Sequence, residues 1–152
     1  MIQISPEDLQ AISRHAERTY PEECCGIVLG KIGEEGKTVV EVWETVNAWS
    51  EEKWAEFPGS GGIRSKQRTF AIAPQEIVKA QKAARDRQIQ IMGFYHSHPD
   101  HPAIPSEMDR AIAWQVYSYI IVSVPKGKAH EVRSWCLDDA HQFQEEAILT
   151  NV

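Results

Sequence analysis

The sequence predicts an α/β protein, and three observations carry that reading. Helix-start signals at Ser5-Pro6, Pro74 and Ser106 alternate with short apolar runs of strand character. The length, 152 residues, suits one compact domain spanning 1–152 with no room for a second. Hydrophobic residues make up 42% and charged residues 25%, enough to bury a core and too apolar for a disordered chain.

The elements follow in order. Ser5 reads as an N-cap with Pro6 at the first helical position, acidic Glu7 and Asp8 in the first turn, and Ile4 placed to staple Leu9. Leu9, Ile12, Ala16 and Tyr20 recur at helical spacing until Pro21 stops the helix. Cys25 to Gly30 and Thr38 to Val46 read as two strands joined by a turn over Gly33 to Gly36. A strand over Thr69–Ala73 leads into a helix opened by Pro74, with Ile77, Ala80 and Ala84 on one face. Ile89 to Tyr95 is a β segment, and Ser106 starts a helix running to about Trp114. Tyr117–Val124 and Ala129–Trp135 form a closing pair of strands, and Asp138 to Leu149 is expected to be helical. Residues 47–67, with two tryptophans and Gly59-Ser60-Gly61-Gly62, have no sustained period and read as a long loop that could cover a site.

Composition narrows the partners. Sixteen Lys and Arg against 22 Asp and Glu give a net charge of −6, with no basic cluster, so nucleic acid is not an expected partner. The longest apolar stretch, Val116 to Val124, is far short of a bilayer span, and no secretory leader opens the sequence, so no membrane association is expected and the localisation expected is cytoplasmic. Three cysteines, two of them the adjacent Cys24 and Cys25, suit a disulfide framework badly and fit a reducing compartment as small buried residues. His15 and His141 read as surface residues, and the tryptophans as core or rim packing.

Chemistry concentrates in Phe94-Tyr95-His96-Ser97-His98-Pro99. In extended chain His96 and His98 share a face while Ser97 points away, so two imidazoles can reach one ion. Pro99 ends the strand and sets the pair at a sheet edge or rim, where an extended peptide could add to a neighbouring strand. Asp109, in the first turn of the next helix, can supply a carboxylate oxygen, and two nitrogens plus one oxygen leave a fourth tetrahedral position open, as in catalytic zinc sites. Ser106-x-x-Asp109 is equally a capping box, in which both side chains satisfy backbone amides and do no chemistry.

Glu23-x-x-Gly26 with Leu29-Gly30, then His96-x-His98-Pro99 and Ser106-x-x-Asp109, resembles the motif of the JAMM (MPN-plus) zinc metalloproteases, in particular the small stand-alone bacterial type. The likeness extends over most of the chain, including Arg68 to Pro74 and the Val122-Ser123 and Arg133-Ser134-Trp135 segments. It implies a mixed, curved β-sheet flanked by helices, similar to cytidine deaminase. It also implies one Zn2+ per chain held by His96, His98 and Asp109. Glu23 would be the general acid/base, with the adjacent Glu22 its rival, and Ser106 would hold the carbonyl oxygen as it becomes negative. The substrates implied are peptide or isopeptide bonds next to the C-terminal Gly-Gly tail of a ubiquitin-like or sulfur-carrier β-grasp protein.

Two other readings remain open at this level. His96-x-His98-x-Asp100-His101 also fits the metal motif of metallo-β-lactamase-like hydrolases, although only His130 and His141 follow as further histidines. A metal-free scaffold of the same fold, acting as an assembly module, is the non-enzymatic alternative.

Overall fold

The computed structural model describes residues 1–50 and 65–150. The expected covering loop therefore lies largely outside the described residues, glycine stretch included. Among them, β1 (Ile2–Gln3), α1 (Pro6–Thr19), β2 (Cys25–Gly33), β3 (Gly36–Thr45) and α2 (Pro74–Asp86) precede the strand that carries the histidines. That strand is β4 (Gln90–Pro99), followed by α3 (Glu107–Ile112), β5 (Ser118–Val124), a 3-10 turn at Pro125–Gly127, β6 (Val132–Leu137), β7 (Phe143–Glu146) and β8 (Ile148–Leu149). All strands join one mixed sheet in the order β7-β6-β5-β4-β2-β3-β1-β8. Its two end strands are consecutive in sequence, separated by Ala147 alone, so the sheet curves round until its edges meet.

Helices cover both faces. Ile12 and Ala16 of α1 pack with Cys24, Val28, Tyr95, Ile120 and Val122 on one face. Ala80 and Ala84 of α2 pack on Ile27, Leu29 and Ile91 on the other. Strand β4 is central, antiparallel to β2 and parallel to β5, and is buried from Ile91 to Pro99 except for half-buried Phe94. Continuous burial of this kind is why its sequence does not alternate. Gly26 has no room for a Cβ, because the Tyr95 ring and the Trp43 carbonyl already occupy that space.

Four expectations fail, each for a tertiary reason. Asp138 to Leu149 is not helical. The Asp138 carboxylate accepts the amides of Ala140 and Gln142, both at 2.9 Å, and the turn returns the chain as β7 beside β6, so strand pairing overrides helix-forming Gln, Glu and Ala. Thr69–Ala73 belongs to no strand, because the Asn47 side chain and the Ala48 amide, in place of a strand ladder, bond its backbone. Helix α3 stops at Ile112, short of Trp114, whose amide donates to Tyr119 Oη at 2.7 Å. His15 is buried, 7% exposed, and its Nδ1 lies 2.7 Å from Tyr95 Oη in a hydrogen bond, because the buried tyrosine hydroxyl needs a polar partner from α1.

Candidate metal and catalytic centre

The β4 pleat delivers what the spacing requires. Ser97 points to the α1 face, where its Oγ accepts the Cys24 amide at 2.7 Å, and His96 and His98 emerge on the opposite face. The end of β4 lies between β2 and β5, with His98 paired to Ser123, so the histidines sit at the rim of a central strand and not on a free edge. Addition of a peptide strand beside β4 is thereby excluded.

Asp109 joins the histidines through the geometry of a helix start. Its amide donates to Ser106 Oγ at 3.0 Å, and its own Oδ2 accepts the Ser106 amide at 2.9 Å, a complete capping box. The same Oδ2 lies 3.2 Å from His96 Nε2 and 3.2 Å from His98 Nε2, and the two Nε2 atoms are 3.2 Å apart. Capping and convergence thus use one carboxylate, and the two readings of Ser-x-x-Asp are not alternatives. The Ser106 hydroxyl accepts from the helix and keeps its proton free to donate.

Three potential ligand atoms meet in an equilateral triangle. His98 Nδ1–H donates to the Pro102 carbonyl at 2.7 Å, which turns its Nε2 toward the other two and, in the neutral ring, makes it a lone-pair donor. Lone pairs repel unless a proton or cation stands between them. Zinc at about 2.0–2.1 Å from each of three tetrahedral donors would space them about 3.3–3.4 Å apart, close to the triangle observed. Two nitrogens and one oxygen thus fit a catalytic ion with an open position. The electrostatics agree with a cation site: burial would raise the Asp109 carboxyl, yet the two imidazoles hold it well below the usual carboxylate range, while burial lowers the His96 imidazole.

Glu23 comes in from the segment just before β2. Continuing the Cys25↔His96 register by two residues sets Glu23 opposite His98. Its carboxylate is buried, 3% exposed, and lies within 4.8 Å of ring nitrogens of His98 and His101, whereas Glu22 is exposed. Asn47 Nδ2 donates to the Glu23 carbonyl at 3.1 Å and to the Thr69 carbonyl at 3.0 Å, tying that strand end to the segment behind it.

The remaining members of the His-rich motif have other work. Asp100 accepts Tyr20 Oη–H and the Lys126 amide, both at 2.7 Å, so its carboxylate is engaged away from the triangle and the H-x-H-x-D-H reading loses its aspartate. His101 stacks on His98 with ring centroids 4.1 Å apart, and its Nδ1–H donates to the Pro99 carbonyl. His141, exposed as expected, donates to the Arg110 carbonyl. Burial pushes the thiols of Cys24 and Cys25 up to about 12 and about 11, which leaves them inert.

Two neighbours escape a reading of spacing. Phe70 stacks on His96, centroids 4.4 Å apart, and begins an apolar cleft of about 510 Å3 that continues past Phe94 and Ile112 to Trp114 and Val116. Asn47 is the other, and its only signal in sequence is a polar residue just beyond the end of a strand.

Comparison with known proteins places the chain in a family. Residues 5–138 match the model of the prokaryotic homologues of the JAB domain. The chain belongs to this family. It is a peptidase of the JAMM type, similar to a desampylase of Haloferax volcanii (32% identical over 126 residues, 81% of this chain and 76% of the relative). It is also similar to the CysO-cysteine peptidase of Mycobacterium tuberculosis (26% over 138 residues, 90% of this chain and 83% of the relative). The fold matches a protein from Desulfitobacterium hafniense (TM-score 0.79, 25% identity, 99% of this chain and 93% of that one). It also matches a JAB1/MPN domain protein from Archaeoglobus fulgidus (TM-score 0.56, 16% identity, 98% and 96%).

Proposed function

We propose that this JAMM-type peptidase is a zinc enzyme that hydrolyses a peptide or isopeptide bond beside the C-terminal Gly-Gly tail of a ubiquitin-like or sulfur-carrier β-grasp protein. One observation carries the reading: three donor atoms converge at 3.2 Å, with the buried Glu23 carboxylate, from just before β2, close to His98. His96, His98 and Asp109 would hold one zinc ion, which supplies Lewis acidity and acidifies a water toward neutral pH.

Glu23 is not one of the three, and its role is to move protons. It takes one from the attacking water and returns it to the leaving amine. Ser106 Oγ–H, at the mouth of the site, donates to the carbonyl oxygen as charge develops there. The substrate class follows the family resemblance and is supported by the names of two relatives, a desampylase and a CysO-cysteine peptidase. Small residues beside the scissile bond suit a backbone that must approach the ion closely. The cleft that starts at Phe70 supports an extended tail leaving on the His96 side. Cys24, Cys25 and Cys136 are all free thiols, which supports a reducing, cytoplasmic setting.

The test is cleavage of a β-grasp protein bearing a short extension after its Gly-Gly. The zinc-loaded protein should release the extension, and replacing the glycines by valine should stop it. Hydrolysis of small acyl or lactam substrates with none of the tail would overturn the substrate class while leaving the zinc chemistry.

A further inference from the structure

A histidine that binds a metal through one nitrogen is normally oriented by a hydrogen bond at the other. His98 has that bond, from Nδ1–H to the Pro102 carbonyl at 2.7 Å. His96 does not. Its Nδ1 is buried and has no hydrogen-bond partner among the described residues, although the ring is 1% exposed. The last torsion of a histidine is broad, so a ring without that bond can tilt unless packing prevents it.

What faces the His96 ring is Phe70, at 4.4 Å between centroids and 22° between planes. Phe70 is itself fixed on both sides. Asn47 Nδ2 donates to the Thr69 carbonyl, Asn47 Oδ1 accepts the Ala71 amide at 3.1 Å, and the Ala48 amide donates to the Ala71 carbonyl at 2.8 Å. The segment is thus a rigid backing plate brought up by one buried asparagine.

We propose that Phe70 is the positioning residue for the ligand His96, its ring face doing for His96 what the Pro102 carbonyl does for His98. A flat ring at this distance admits only imidazole planes near its own, and the observed plane is the one that brings Nε2 to 3.2 Å from both His98 Nε2 and Asp109 Oδ2. An apolar side chain of similar volume without a flat face fills the space and leaves the tilt free. Because Phe70 also lines the apolar cleft, the same ring separates that cleft from His96.

This inference rests on the metal reading above, and the experiment separates the two. Zinc affinity is measured by chelator competition on the wild type, Phe70→Met and Phe70→Tyr, with the thermal melt of each metal-free protein alongside. Phe70→Met should bind zinc about 10–100-fold more weakly, the range for losing an outer support of a ligand, and Phe70→Tyr should restore wild-type affinity. A folded Phe70→Met that binds zinc as tightly as the wild type would overturn the role of Phe70 alone. A wild type that takes up no zinc would overturn the metal reading and this inference with it. Should Phe70→Met fail to fold, the wild type still decides through nitrogen-15 spectra of its histidines with zinc bound. The His98 Nδ1–H should be strongly hydrogen-bonded and the His96 Nδ1–H should not, and a strong bond at His96 would overturn the proposal.

Discussion

The Cys24 amide donates to Ser97 Oγ over 2.7 Å, so the residue between the two histidines ties down the strand end that carries Glu23. Ser97 is fully buried, and its backbone amide returns a bond to the Cys24 carbonyl at 3.2 Å. The register continued from Cys25↔His96 then leaves Glu23 opposite His98, on the metal face. His98 and Glu23, the proposed ligand and proton carrier, are thus aligned by the two bonds that Ser97 makes to Cys24.

Glu23→Gln should therefore keep its zinc and lose about 10²–10⁴-fold in turnover, roughly 3–5 kcal/mol of barrier. Glu22→Gln, at an exposed position, should behave as the wild type. Turnover measured on zinc-saturated variants checks both, and a dead Glu22→Gln beside an active Glu23→Gln would shift the assignment by one residue.

His96→Ala and Asp109→Ala should each abolish zinc binding, and the wild type should hold one ion per chain. Asp109 matters twice, because its carboxylate also accepts the Ser106 amide, so Asp109→Ala should also cost about 1 kcal/mol of stability through the lost cap. Elemental analysis with a melting curve reads both effects. Two ions per chain would contradict the mononuclear site.

Ser106 combines an N-cap with the proposed hydrogen-bond donor, and glycine separates the two roles. Ser106→Gly should cost only a few tenths of a kcal/mol of stability, since glycine caps tolerably, while turnover falls about 10²-fold or more. A Ser106→Gly enzyme with unchanged turnover would confine the residue to capping.

Much of this was legible in the sequence because it is local. The parity of His96 and His98, the capping spacing of Ser106 and Asp109, and the turn and helix signals each involve residues a few positions apart. What escaped is set by neighbours distant in the chain. Glu146 lies in a run of helix formers, yet it is drawn into β7 opposite Ser134, where Lys37 meets it from β3. His15 is indistinguishable from a surface histidine until Tyr95 is set against it. Phe70, stacked on His96, lies between two residues whose backbone Asn47 holds, and no periodicity marks Asn47.

The Glu146 cluster gives the pH dependence. Burial opposes ionisation of Glu146, but hydroxyls of Ser118 and Ser134 and the Lys37 ammonium 3.1 Å away hold its carboxyl at about 2. A depressed carboxylate stabilises the fold above its unfolded pKa and loses that contribution as pH falls through the folded value. The loss should thus run from about 4.5 down to about 2. Glu146→Gln should remove on the order of 1–2 kcal/mol at neutral pH, after discount for solvent screening, and flatten the acid limb of the stability curve. Denaturant titrations at several pH values check this, and an acid limb as steep as the wild type's would contradict it.

The proposed zinc-dependent cleavage is tested most directly by the mass of the products formed from a β-grasp protein extended beyond its terminal Gly-Gly. Zinc-loaded wild type should yield a protein ending at that Gly-Gly together with the free extension, and chelation or Glu23→Gln should stop the reaction. An uncut substrate with the zinc-loaded enzyme, or cleavage that survives both chelation and Glu23→Gln, would contradict it.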